Sequence, residues 1–163
     1  MKKLLLIRHA KSSWDDISLN DFDRPLNERG KKDAPVMAQR LMDKNEKIDL
    51  FISSPAKRAS RTAKIFAELF NRKKDDIIFK TALYGASTDI FYEVISKLED
   101  EFDNIAVFSH NPGLTDFAND LTETKIDNIP TCGIFAIKID TNHWFNIKEA
   151  KKEFWFMDYP KAQ

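Results

Sequence analysis

Leu4-Leu5-Leu6-Ile7 runs unbroken into Arg8 and His9. Consecutive apolar residues leave no polar face, so a strand built from them must be covered on both sides, as in a parallel α/β sheet. Ligands of open α/β sheets bind beyond the carboxyl ends of the strands, and Arg8 and His9 fall at such an end. Arg8 brings a permanent charge on a forked donor; His9 brings an imidazole able to act as nucleophile or proton carrier near neutral pH. The same pair would also mark a strand that simply leaves a core. Ile105-Ala106-Val107-Phe108-Ser109-His110 repeats the pattern. If the two strands are parallel neighbours, His9 and His110 emerge at one sheet edge.

The chain between and after these strands reads as alternating helices and strands in one domain, 1–163, a length that allows a substantial core. Asn27 can cap a helix that starts at Glu28 and ends near Asn45, and Pro35 is expected to kink it or displace its start. Ile48 to Ile52 is a strand. Ser53-Ser54-Pro55 reads as strand end, N-cap and first helical residue. The helix that follows runs to Phe70 and places Arg58 in or just past its first turn, close to free N–H groups that favour an anion; Arg61 reads as a surface charge. Ile77 to Phe79 is a short strand. Ser87 or Thr88 caps a helix to about Glu99, and Leu114 to Leu121 is a short helix. Ile134 to Ile139 is a strand, Trp144 to Ile147 is expected to pair back on it as a hairpin, and Phe154 to Phe156 closes the chain as a strand or packed tail.

Two stretches stay open. Lys11 to Arg24 is long for a plain connection and suits a binding loop; it carries Asp15, Asp16, Asp21 and Asp23 with Trp14 and Phe22. Asp21-Phe22-Asp23 resembles an aspartyl-phosphatase pair, but no apolar strand leads into it, so it reads as solvated loop. Thr131, ahead of Cys132 and Gly133, either approaches the pocket or only leads into a strand.

Lys plus Arg and Asp plus Glu number 26 each, which argues against nucleic acid as the main partner. No apolar run approaches membrane-spanning length, and Arg8, His9 and Lys11 cut short the signal-peptide-like start. Cys132 is the only cysteine, so no intramolecular disulfide forms. The expected compartment is the cytoplasm.

Arg8, His9, Arg58 and His110 together suit phosphoryl transfer. Two guanidiniums offer about ten N–H donors in planar forks, and two imidazoles can supply a nucleophile and a stabilising donor. Zinc on His9, His110 and a loop aspartate is disfavoured by the arginines. A cysteine phosphatase needs an arginine where Lys138 stands, and no phosphate-binding Gly-x-x-x-x-Gly-Lys-Ser/Thr loop is present.

On these residues the sequence resembles the histidine phosphatase superfamily, which includes phosphoglycerate mutases and acid phosphatases, and within it the compact SixA-like phosphohistidine phosphatases. Arg8-His9-Ala10 stands where the superfamily has Arg-His-Gly. Arg24-Pro25-Leu26-Asn27-Glu28-Arg29-Gly30, Ser53-Ser54-Pro55 with Arg58, Ala59 and Thr62, and Ser109-His110-Asn111-Pro112-Gly113 match three further motifs in order. The resemblance implies a three-layer α/β/α sandwich with a mostly parallel central sheet, of the phosphoglycerate mutase type. It implies a nucleophilic His9 whose other ring nitrogen donates to a backbone carbonyl, with Arg8, Arg58 and a protonated His110 gripping the phosphoryl group. Lys11 and Ser12 are candidate backbone donors. No metal or organic cofactor is called for.

Phosphoglycerate mutases carry a glutamate in the loop after the third strand. The corresponding Leu83-Tyr84-Gly85-Ala86-Ser87 has no carboxylate before Asp89. An alkoxide leaving group, with a conjugate-acid pKa of roughly 15, needs proton help. Imidazole, with a conjugate-acid pKa of about 6.5, leaves as a neutral base. The expected substrate is therefore a phosphohistidine protein, with a small phosphorylated metabolite as runner-up and a non-catalytic phosphate or phosphoprotein binder as the rival class. Asp15 or Asp16 swinging in from the long loop would restore the acid.

Overall fold

The computed structural model describes residues 1–162. Its centre is a six-stranded sheet in the order β3-β2-β4-β1-β5-β6. The strands are β1 (Lys2–Arg8), β2 (Leu50–Ser53), β3 (Ile78–Phe79), β4 (Asn104–Ser109), β5 (Ile134–Ile139) and β6 (Lys152–Asp158). β1 to β4 are mutually parallel; β5 runs antiparallel to both β1 and β6. Among the described residues, no helix is long and apolar enough to cross a membrane.

The opening apolar run is divided between two cores. Leu4 and Leu6 face one side with Ile52, Ile105 and Val107, covered by Phe91, Ile95, Leu114 and Phe117 of helices α3 (Thr88–Ser96) and α4 (Gly113–Leu121). Leu5 and Ile7 face the other with Phe51, Ala106 and Phe108, covered by Met37, Leu41, Ala63 and Phe66 of α1 (Glu28–Asp43) and α2 (Lys57–Leu69). Successive strand side chains point to opposite faces, so helices on both sides bury every residue of the run. The outcome is the expected three-layer α/β/α sandwich.

Asn27 caps α1, its side-chain oxygen accepting from Gly30 N–H at 2.8 Å. Pro35 does not displace the start of that helix, which runs from Glu28 through it to Asp43. A proline here costs the bond to the Lys31 carbonyl. Lys31 is exposed, so water can serve that carbonyl, while Ala34, Met37, Ala38 and Leu41 remain buried. The helix after β2 starts later than expected. It begins at Lys57 with no side-chain cap, because the N-cap position falls on Ala56, which has no polar side chain. α3 ends at Ser96, short of Glu99.

Trp144 to Ile147 does not form a hairpin strand. Residues Trp144–Asn146 form a 3-10 turn, and β5 pairs instead with β6. Trp144 is fully buried, with its indole N–H on the Phe102 carbonyl at 2.7 Å and its backbone N–H on Asp100 Oδ1 at 2.9 Å. Burying that side chain outweighs any strand preference of the flanking residues.

Candidate active site

β1 and β4 are in parallel register with Arg8 opposite Ser109, so the next residues, His9 and His110, leave the same edge side by side. Their ring centroids are 5.2 Å apart. β2 lies on the far side of β4, and the helix following it brings Arg58 to the same place. Arg58 Nε donates to His9 Nε2 at 3.3 Å.

The backbone around His9 is fastened from both sides. Arg8 N–H donates to Gly133 O at 3.1 Å and His9 N–H to Ser109 O at 3.2 Å. Cys132, at φ 59°, donates its N–H to His9 O at 3.0 Å. Ala10 N–H donates to Thr62 Oγ1 at 3.0 Å, and that hydroxyl donates to Arg58 O at 2.8 Å. Thr62 thus ties the backbone after His9 to the helix that carries Arg58. Ala10 has no left-handed backbone, so a Cβ is tolerated there. Gly30 has no such latitude: a Cβ on it would meet Lys11 O at 2.2 Å, because α1 packs directly on the loop.

His9 is 6% exposed, and its Nδ1 lies 2.7 Å from Ala10 O. A carbonyl only accepts, so Nδ1 carries the proton and Nε2 presents a lone pair. Burial pushes the His9 pKa down to about 4 against the opposing pull of the Ala10 carbonyl, with Arg58, Arg8 and Arg24 pushing the same way as burial. The ring is neutral at pH 7. His110, 7% exposed, is pushed down to about 3 by burial, then by His9 and Arg58, with Asp21 opposing. Without a bound dianion His110 is therefore neutral; the protonated form expected from the resemblance was for the ring beside a bound dianion. Its Nε2 lies 2.8 Å from Ser54 Oγ. Arg8 donates from Nη1 to Ile129 O at 3.0 Å.

The long loop delivers a different aspartate from the two anticipated. Asp15 and Asp16 are exposed, and Asp16 caps Ser18 N–H at 3.0 Å within its own turn. Asp21, in the stretch read from sequence as solvated loop, is exposed as expected and is also the carboxylate that contacts this site. Its Oδ2 accepts from Arg58 Nη2 at 2.9 Å and Tyr84 Oη at 2.7 Å, its backbone O accepts from Arg58 Nη1 at 2.6 Å, and its Oδ1 accepts from Arg24 Nη2 at 3.1 Å. The Tyr84 hydroxyl, then Arg58 and Arg24, hold this carboxyl well below the usual carboxylate range, against desolvation. Tyr84 also sets its ring edge-on to His110 at 5.4 Å. Ser12 uses its hydroxyl to accept from Arg24 Nη1 at 2.7 Å. Lys11 and Thr131 line a neighbouring cleft of about 240 Å³ with Arg29, Pro130, Tyr159 and Lys161. Asp21, Tyr84 and Ser54 went unrecognised because their parts depend on contacts across loops; the Ser-Ser-Pro run was visible but reads equally well as a helix cap. Among the described residues, no three or more His, Cys, Asp or Glu side chains are grouped to hold a metal ion.

An α/β sheet edge that gathers imidazoles and guanidiniums in this way suits phosphoryl chemistry, and its phosphatase relatives make the chain a phosphoric hydrolase. Residues 4–112 match the model of the histidine phosphatase superfamily (branch 1), and the chain belongs to that superfamily. An uncharacterized chloroplastic protein of Arabidopsis thaliana is 32% identical over 151 residues, 88% of this chain and 69% of that one. Phosphoserine phosphatase 1 of Hydrogenobacter thermophilus is 38% identical over 106 residues, which span 63% of this chain and 49% of that enzyme. The fold is SixA-like. SixA of Agrobacterium tumefaciens superposes with a TM-score of 0.81 at 23% identity over 98% of both chains. The protein histidine phosphatase SixA complexed with tungstate gives 0.82 at 19% identity over 97% of both.

Proposed function

We propose that this protein removes phosphate from phosphohistidine on proteins through a covalent intermediate on His9 Nε2. The observation that carries the reading is the His9 tautomer. Nδ1–H is committed to Ala10 O at 2.7 Å, which leaves Nε2 as a neutral nucleophile beside Arg58. In the first step the Nε2 lone pair forms a bond to phosphorus, and the bond from phosphorus to the leaving nitrogen breaks with its electron pair staying on nitrogen. A substrate imidazole already protonated on its other nitrogen departs neutral. In the second step water attacks phosphorus, His9 takes back its electron pair, and the water proton passes to the phosphate product. Arg8, Arg58 and His110 offset the charge on the phosphoryl oxygens.

Asp21 supports a nitrogen leaving group over an alkoxide. It is the carboxylate in contact with the site, and Tyr84, Arg58 and Arg24 keep it ionised. An ionised carboxylate has no proton to give an alkoxide. Likeness to a phosphoserine phosphatase over about half of that enzyme supports phosphatase chemistry without choosing the substrate.

The test pairs two measurements. Acidic handling is avoided because a protonated phosphohistidine loses its phosphate, and label from a phosphohistidine peptide is captured at alkaline pH on wild type and on His9→Ala. Turnover of that peptide is then compared with simple phosphomonoesters. Label on wild type alone and a strong preference for the peptide are expected. A preference for the esters overturns the substrate, and equal slow release by wild type and variant overturns catalysis in favour of a binding module.

A further inference from the structure

His110 is a buried imidazole that is neutral in the free protein, so it has one N–H for two ring nitrogens. Nε2 faces Ser54 Oγ at 2.8 Å. Nδ1 is buried and has no hydrogen-bond partner, a condition it shares with Arg8 Nε. A buried polar atom left unpaired costs free energy and calls for an explanation.

The proton on His110 can sit in either of two places. If Nε2–H donates to Ser54, then Nδ1 presents a bare lone pair, which repels a phosphoryl oxygen. If Ser54 donates its hydroxyl proton to Nε2, then Nδ1 carries N–H and lacks only an acceptor. The surroundings of Ser54 choose between them. Its Oγ already accepts the Ala56 N–H at 3.2 Å, and its backbone N–H is fixed on Phe108 O at 3.0 Å. The residue is fully buried, and the acceptor within reach of its hydroxyl proton is His110 Nε2.

We propose that Ser54 is a positioning residue: by donating to His110 Nε2 it fixes the Nδ1–H tautomer, so that a neutral His110 donates to a phosphoryl oxygen. A second positive imidazole beside Arg8 and Arg58 is then unnecessary. The use of His110 on phosphate rests on the phosphatase reading above; the tautomer itself does not. The titratable and charged groups around this ring are His9, Arg58, Arg8 and Asp21, with the Tyr84 ring edge-on.

The test is long-range proton–nitrogen NMR on the full 15N-labelled chain at neutral pH, for wild type, Ser54→Ala and Ser54→Thr. Wild-type His110 is expected to show a pyrrole-type Nδ1 and a pyridine-type Nε2. Ser54→Ala shifts His110 toward the other tautomer or a mixture, Ser54→Thr retains the wild-type form, and His9 keeps its own Nδ1–H in all three as an internal check on the fold. In parallel, inorganic phosphate binding is compared as the ratio of variant to wild-type affinity, so that the titration of phosphate cancels. Ser54→Ala is expected to bind about tenfold more weakly near neutral pH, where His110 is neutral. An Nε2–H or doubly protonated His110 in wild type overturns the proposal, and this spectrum decides even if Ser54→Ala does not fold. An unchanged tautomer in folded Ser54→Ala also overturns it. The expected tautomer in a protein that neither binds nor turns over phosphate leaves the Ser54 assignment standing and removes the phosphatase reading.

Discussion

Replacing Thr62 with valine deletes one hydroxyl and keeps nearly the same shape. Thr62 is fully buried, and its Oγ1 accepts from Ala10 N–H at 3.0 Å while donating to Arg58 O at 2.8 Å. Arg58 O keeps the ordinary helical bond from the residue 62 amide, so the group left orphaned is the buried Ala10 N–H. An unsatisfied buried donor costs about 1–3 kcal/mol. For a chain of this size that lowers Tm by about 2–4 °C per kcal/mol, or very roughly 2–12 °C. Ala10 directly follows His9 and its carbonyl holds the His9 ring, so that ring, the proposed nucleophile, shifts with it. Misplacement of this kind costs about 10- to 100-fold in kcat/KM. Thr62→Ser keeps the hydroxyl and loses a methyl group, worth about 1 kcal/mol, with turnover retained. Thermal unfolding and phosphohistidine-peptide hydrolysis on all three proteins read both quantities. A valine variant that melts and turns over like wild type, or a serine variant as slow as valine, refutes the bridge.

The two site histidines should make stability depend on mild acid. Their folded pKa values are pushed down to about 4 and about 3, while the unfolded chain returns both to about 6.5. Between those values the unfolded state binds more protons, so the stability present above about pH 6.5 is lost as pH falls toward the folded pKa values, by up to about 1.4 kcal/mol per pH unit per histidine. Urea midpoints measured from about pH 7.5 down to about pH 5 check this, and the His9→Ala/His110→Ala double variant should flatten the slope; equal slopes would count against buried neutral rings. Gly30→Ala drives a Cβ into the Lys11 carbonyl, 2.2 Å away on rigid backbone. It is expected to cost about 1–3 kcal/mol and to slow labelling of His9, whereas a variant as stable and fast as wild type would show that the loop yields freely.

The repeated motif of apolar strand, then histidine, was legible in the sequence because covering both faces of a sheet demands unbroken apolar runs. Leu4 to Ile7 and Ile105 to Phe108 are such runs, and their ends put His9 and His110 at one edge. The Asn27 cap was legible for a similar reason, since capping is a local exchange between a side chain and the next turn. Trp144 was misplaced because its burial is settled by Asp100 and Phe102, some forty residues away in sequence.

By itself, then, the amino-acid order determined strands covered on both faces, their ends and the residue types available there, which follow from periodicity and short-range hydrogen bonding, while the three-layer arrangement was implied by the family resemblance of the motifs. Only the tertiary structure decided that Asp21, and neither Asp15 nor Asp16, meets Arg58 and Tyr84, and that the Ser54 hydroxyl meets His110. It also decided that both imidazoles are neutral, because desolvation and the nearness of Arg8 and Arg58 exist only once separate segments have closed around them.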